Sequence, residues 1–114
     1  RLKALPAVAQ ATELAVYARF FLHAIPEDGE DALLDLVGQL ALPGHTRFAV
    51  EFRTQRDATL PKSTAQHYRR FIDPVSLLAK GVQRGMAIRY FVEGFGFAKY
   101  RDDDAHVARC VFSV

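Results

Sequence analysis

Apolar residues in this chain fall into short strand-like stretches, separated by segments in which they recur at helical spacing. The stretch ELAVYARFFL is short and rich in β-branched and aromatic residues, so its middle, roughly 14–20, is expected to be a buried strand. PEDGEDALLDLVGQLAL follows. Pro26 and the acidic Glu27, Asp28, Glu30 and Asp31 suit a helix start, because carboxylates stabilise the positive end of the helix dipole. Leu33, Leu34, Val37 and Leu40 then share one helical face, and LPGH ends the helix.

TRFAVEFRT, 46–54, reads as the second strand, with Phe48, Val50 and Phe52 on one face. DATLPKSTAQHYRRFID is polar and longer than a usual connection, which marks it as a functional loop or lid. Asp73 is placed to cap a helix that has Pro74 at its first position, carries Val75, Leu77, Leu78 and Val82, and ends near Gly85. MAIRYFVEGFGFAKY is expected to be one long strand, in which Gly94 and Gly96 mark a bulge or a close backbone approach. RDDD reads as a turn and HVARCVFSV as a last strand. The opening RLKALPAVAQA reads as a short helix that tolerates Pro6 only near its first turn. Alternating elements of this kind argue an α/β fold, with a mostly parallel sheet and right-handed crossovers. The short turn between the last two strands makes that pair antiparallel.

Composition narrows this further. With 114 residues, half hydrophobic and a quarter charged, the chain is a single folded domain. Fifteen basic residues against 13 acidic ones give +2, no electrostatic case for nucleic acid. Cys110 is the only cysteine, which excludes an intrachain disulfide and a thiolate metal cluster and fits a cytoplasmic setting. No apolar run approaches the ~20 residues that span a bilayer. The start, Arg1-Leu2-Lys3, has neither a methionine nor a cleavable apolar region, so no signal peptide is expected, and the chain is expected to be a piece of a longer product.

The element order and motifs together resemble the C-terminal half of class I S-adenosylmethionine-dependent methyltransferases. ELAVYARFFLHAI looks like that family's strand four and the following loop, TRFAVEFRT like strand five, and MAIRYFVEGFGFAKY with HVARCVFSV like strands six and seven. The wording YARFFLHAI, EFRT, HYRRFIDP, EGFGFAKYRDDD and VAR also resembles a bacterial branch associated with cell-surface polysaccharide biosynthesis proteins. The resemblance spans nearly the whole chain. It implies three parallel strands plus a final antiparallel one, flanked by helices, in the sheet order 4-5-7-6 of the family's count. It also implies S-adenosylmethionine as cofactor, contacted here by Phe20 and Phe21. The family holds that cofactor mainly with a glycine-rich turn after strand one and an acidic residue after strand two. No such turn precedes residue 14, so the cofactor-binding half is expected to come from a missing N-terminal segment or a partner chain, and the isolated chain is expected to be inactive.

Methyl transfer requires collinear donor and acceptor, and sometimes removal of a proton from the acceptor. Ligands of parallel sheets lie beyond the carboxyl ends of the strands. His23 is the candidate base there, because an imidazole titrates near neutrality; the alternative is that it packs at a strand end or touches the cofactor without chemistry. Arg19 pairs with Glu51 on the neighbouring strand or binds substrate. Glu51 and Arg53 share a strand face and could grip a hydroxylated or charged acceptor, such as a sugar or a phosphorylated or nucleotide-linked small molecule. In HYRRF, His67, Tyr68, Arg69 and Arg70 could fork onto phosphate, or simply form a solvated face, and Lys62 shares that loop. Asp102, Asp103 and Asp104 read as a solvated turn, since three consecutive side chains cannot converge on one ion. EGFGF lacks the helix a phosphate loop needs, and Cys110 reads as core. A non-catalytic methyltransferase-like module of a larger biosynthetic protein is the rival reading. The strand at 14–20 is expected at a sheet edge, where its unpaired backbone favours self-association.

Overall fold

The structure is a computed structural model and describes residues 5–40, 42, 44–56 and 70–114. Its centre is a four-stranded mixed sheet of order β1-β2-β6-β3, flanked by helices. β1 (Leu14–Arg19) pairs in parallel with β2 (Thr46–Arg53), whereas β6 (Val107–Ser113) runs antiparallel to both β2 and β3 (Ala87–Gly94). Two short strands, β4 (Lys99–Tyr100) and β5 (Asp103–Asp104), form a separate hairpin between β3 and β6.

Strand periodicity decides which side chains enter the core. On β2, Phe48, Val50 and Phe52 point one way and meet Phe112, Cys110 and Ala108 of β6 as direct cross-strand partners. Both long helices cover that same face. α2 (Glu27–Leu40) contributes Leu34 and Val37, and α3 (Pro74–Gln83) contributes Leu77, all fully buried in one cluster with the three phenylalanines. Each such side chain taken from water is worth about 1.5–3 kcal/mol. The acidic first turn of α2 and the start of α3 behave as their sequences imply. Asp73 accepts the N–H of Val75 at 3.1 Å, with Pro74 next in line. Lys80 of α3 then reaches Glu27, Glu30 and Asp31 of α2 at 2.9, 2.7 and 2.8 Å, and Arg84 reaches Asp35 at 2.8 Å.

Several expectations are corrected. β1 lies at the sheet edge as expected, but it is only half-buried and not the buried strand expected, since its Tyr17 lies on the face that neither α2 nor α3 covers. β3 stops at Gly94, where φ is +156°, and Gly96 is at +87°, so the chain leaves the sheet there and does not run on to Tyr100. The irregularity in β3 lies instead between Ile88 and Tyr90. On α3, Val75 and Val82 face solvent, and Leu77 and Gly81 form the buried stripe. Asp103 is buried and Asp104 accepts the N–H of Gly96 at 2.7 Å, so these two residues are not a free solvated turn. The first helix is reduced to α1 (Pro6–Ala9). The loop read as a lid lies mostly outside the described residues.

Candidate functional site

The chemistry-bearing residues collect where β1, β2 and β3 end. β1 finishes at Arg19, and Phe20 takes up a left-handed backbone, φ +53°, while donating its N–H to the Glu51 carbonyl at 2.7 Å. For a bulky side chain that conformation costs of order 1 kcal/mol and persists only where the surroundings enforce it. Here the ring is held among the guanidiniums of Arg19 and Arg53, 5.0 and 5.9 Å from its centre, and the His23 imidazole at 5.6 Å. Phe21 then projects outward, 47% exposed, ahead of a short 3-10 turn at Leu22–Ala24.

His23 is buried in that turn. Its Nδ1 accepts the backbone N–H of Arg53 at 3.1 Å, and its carbonyl accepts the N–H of Arg70 at 2.7 Å. An Nδ1 that accepts leaves the proton of the neutral ring on Nε2. The ring therefore ties the turn after β1 to the end of β2, which favours the packing alternative over the base. Arg70 completes the tie by donating to the carbonyls of Ile25 and Leu22 at 3.0 and 3.1 Å and to the Glu30 carboxylate at 2.8 Å.

Glu51 is the electrostatic centre of the face that neither α2 nor α3 covers. One carboxylate oxygen accepts from Arg19 Nε at 2.9 Å, and the other accepts from Arg109 Nε on β6. Its side chain is only 6% exposed, so two guanidiniums replace its lost hydration. The hydrogen bond to Glu51, and then its charge, hold the Arg19 guanidinium above its ordinary range. Arg109 also donates to the Phe97 carbonyl at 3.0 Å and stacks 4.7 Å from the Phe97 ring, which fastens the segment after β3 to the sheet. Beside it, Thr54 Oγ1 and His106 Nδ1 share a buried hydrogen bond at 2.6 Å, with Phe95 edge-on to the imidazole at 4.9 Å.

Of the residues singled out in the sequence, Arg19, Phe20, His23, Glu51, Arg53 and Arg70 come together at this edge, with Phe21 at its rim. His67, Tyr68, Arg69 and Lys62 lie outside the described residues. Arg109 and His106 were missed. Arg109 had a legible signal, since a charged residue between Ala108 and Cys110 in a central strand calls for a carboxylate on its neighbour.

The residues present do not by themselves fit S-adenosylmethionine. Its sulfonium is a cation, the edge is lined by Arg19, Arg53 and Arg109, and the nearby carboxylate Glu51 is already shared by two of them. No protein-family model matches the chain, and no curated protein matches it significantly. Among the described residues, no helix is long and apolar enough to cross a membrane.

Proposed function

We propose that this chain is the acceptor-side half of an S-adenosylmethionine-dependent methyltransferase, working on a phosphorylated, nucleotide-linked or otherwise anionic sugar-like molecule in the cytoplasm. The observation that carries the reading is the strand order β1-β2-β6-β3, with its one reversed strand set between β2 and β3. That order is the 4-5-7-6 order of the family resemblance, and the arginines at the strand ends supply the cationic chemistry an anionic acceptor needs. The donor is held elsewhere, by a segment that supplies the glycine turn and the ribose carboxylate. His23 acts in this scheme as a positioning residue.

A second reading, a non-catalytic module of a larger biosynthetic protein, is favoured by one observation: Glu51 is bonded by Arg19 and Arg109, and Arg70 is paired with Glu30, so these groups already have partners within the chain. Calorimetry with S-adenosylmethionine separates the two. Binding by a longer protein that contains this chain, and none by the chain alone, is expected. No binding by the longer protein overturns the enzyme reading and leaves the module. The open edge of β1 is also expected to mediate self-association, and a clean monomer by light scattering at high concentration overturns that.

A further inference from the structure

The face of the sheet opposite α2 and α3 is built in registered rows. Tyr17 on β1 lies beside Ala49 on β2, Ala49 opposite Val111 on β6, and Val111 opposite Tyr90 on β3. Both tyrosines stand out from the outer strands, 64% and 51% exposed, while the residues between them are small. The result is a trough of about 570 Å³ that continues over Glu51 and Arg109. Three strand spacings separate β1 from β3, about 14 Å, which admits an α-helix about 10 Å across. The eight residues of β2 make the floor about 26 Å long, matched by a helix of about 18 residues.

The charge on this face says what covers it. Arg19, Arg47 and Arg109 stand on it by strand alternation, and Arg89 reaches it by donating to Ser113 Oγ at 2.9 Å. Among the described residues Glu51 is shared by Arg19 and Arg109, and Glu13 lies beside Arg47 at the other end, so the arginines outnumber the carboxylates. Two copies packed through this face would set arginine against arginine, so a second copy is disfavoured. A concave trough with upright tyrosines at both sides also suits a rod better than a flat lipid surface. We propose that this face docks an amphipathic α-helix of another polypeptide segment, with a narrow apolar stripe over Ala49 and Val111 and flanking carboxylates toward the arginines. Arg19 and Arg109 belong both to this face and to the edge of the proposed acceptor site, but the argument uses nothing of methyl transfer, and its test needs no S-adenosylmethionine.

The test uses the whole chain and two synthetic helical peptides of about 18 residues with the same leucine stripe, one flanked by glutamates and one by lysines. Titration followed by calorimetry and amide NMR is expected to show the glutamate peptide binding at least about tenfold tighter, with salt weakening it. The shifted amides are expected at Tyr17, Ala49, Tyr90 and Val111. Tyr17→Ser, at an exposed position, is expected to weaken that peptide several-fold while leaving the chain folded by circular dichroism. Equal affinity for both peptides, or shifts confined to other surfaces, overturns the proposal. So does concentration-dependent self-packing through these residues, or capture by phosphatidylserine vesicles with no peptide binding. The two peptides differ only outside the chain, so the comparison holds even if a variant fails to fold.

Discussion

The imidazole Nδ1 of His23 accepts the backbone N–H of Arg53 at 3.1 Å, a bond between residues 30 positions apart. It closes the end of β2 against the turn that follows β1. Replacing His23 with leucine leaves that N–H without its acceptor in a part-buried setting, at a cost of about 1–2 kcal/mol. Asparagine can place its Oδ1 near the position of Nδ1, so His23→Asn is expected to lose less than half as much. Urea denaturation of both variants measures this. Equal losses would mean that ring packing, and not the hydrogen bond, is what His23 provides.

Arg19 and Arg109 both donate to Glu51, yet they are not equivalent. Arg19 has a largely exposed side chain, so its loss to methionine is expected to cost little stability. Arg109 also holds the Phe97 carbonyl and ring, and Arg109→Met is expected to cost about 1–2 kcal/mol. It is also expected to broaden the amide signals of residues 95–98 while leaving α2 and α3 sharp. If both variants lose the same stability and the segment after β3 stays ordered, Arg109 is only a second counter-ion.

The Lys80 clamp between α2 and α3 makes a pH-dependent contribution. The hydrogen bond from Lys80 lowers the Asp31 carboxyl below its ordinary 3.8, so its contribution is present above that value and lost as pH falls through the lower folded one. Burial alone would lower the Lys80 ammonium, but hydrogen bonds to Asp31, Glu30 and Glu27 outweigh it and raise the group. Its contribution is therefore complete below 10.5 and lost as pH rises through the raised folded value. Lys80→Met is expected to cost about 1–3 kcal/mol near neutrality, between the values for exposed and buried pairs. The gap between wild type and variant is expected to narrow below pH 3.8. A gap that stays constant down to acid unfolding would show that the aliphatic stem, not the ammonium, holds the helices.

How much of this was readable from the chain depends on range. Phe48, Val50 and Phe52, or Leu34 and Val37, announce their burial through a period that local geometry imposes. The Arg19–Glu51 pair was readable for a related reason, since parallel neighbours bring strand ends side by side. The end of β3 was not, because Gly94 is compatible with either a bulge or an exit, and only the departure of the chain into the β4–β5 hairpin decides between them. In the sequence His23 and Arg70 look like groups for a ligand because their side chains are versatile. Their partners include a backbone N–H and two backbone carbonyls, groups every residue carries, so no side-chain pattern could point to them.

Gly81 sits inside α3, where alanine would ordinarily improve a helix by up to about 1 kcal/mol. Here a Cβ would lie 2.5 Å from Cε1 of Phe112 and 3.0 Å from its Cδ1 and Cζ. Phe112 is fully buried and stacked on Phe48 at 6.0 Å between ring centres, so it has little room to retreat. Backing α3 away from the sheet would instead strain its C-terminal end, where the Gly81 carbonyl accepts the N–H groups of Arg84 and Met86 at 3.1 and 3.0 Å. Overpacking of this kind costs about 1–3 kcal/mol, so Gly81→Ala is expected to be destabilising on balance despite its helix propensity. Phe112→Leu removes the ring edge that the new methyl meets, at its own cost in burial. The double variant is therefore expected to be more stable than the sum of the two single losses predicts, by about 1 kcal/mol. Strict additivity in urea denaturation, or a Gly81→Ala chain at least as stable as wild type, would show that α3 is free to shift on the sheet.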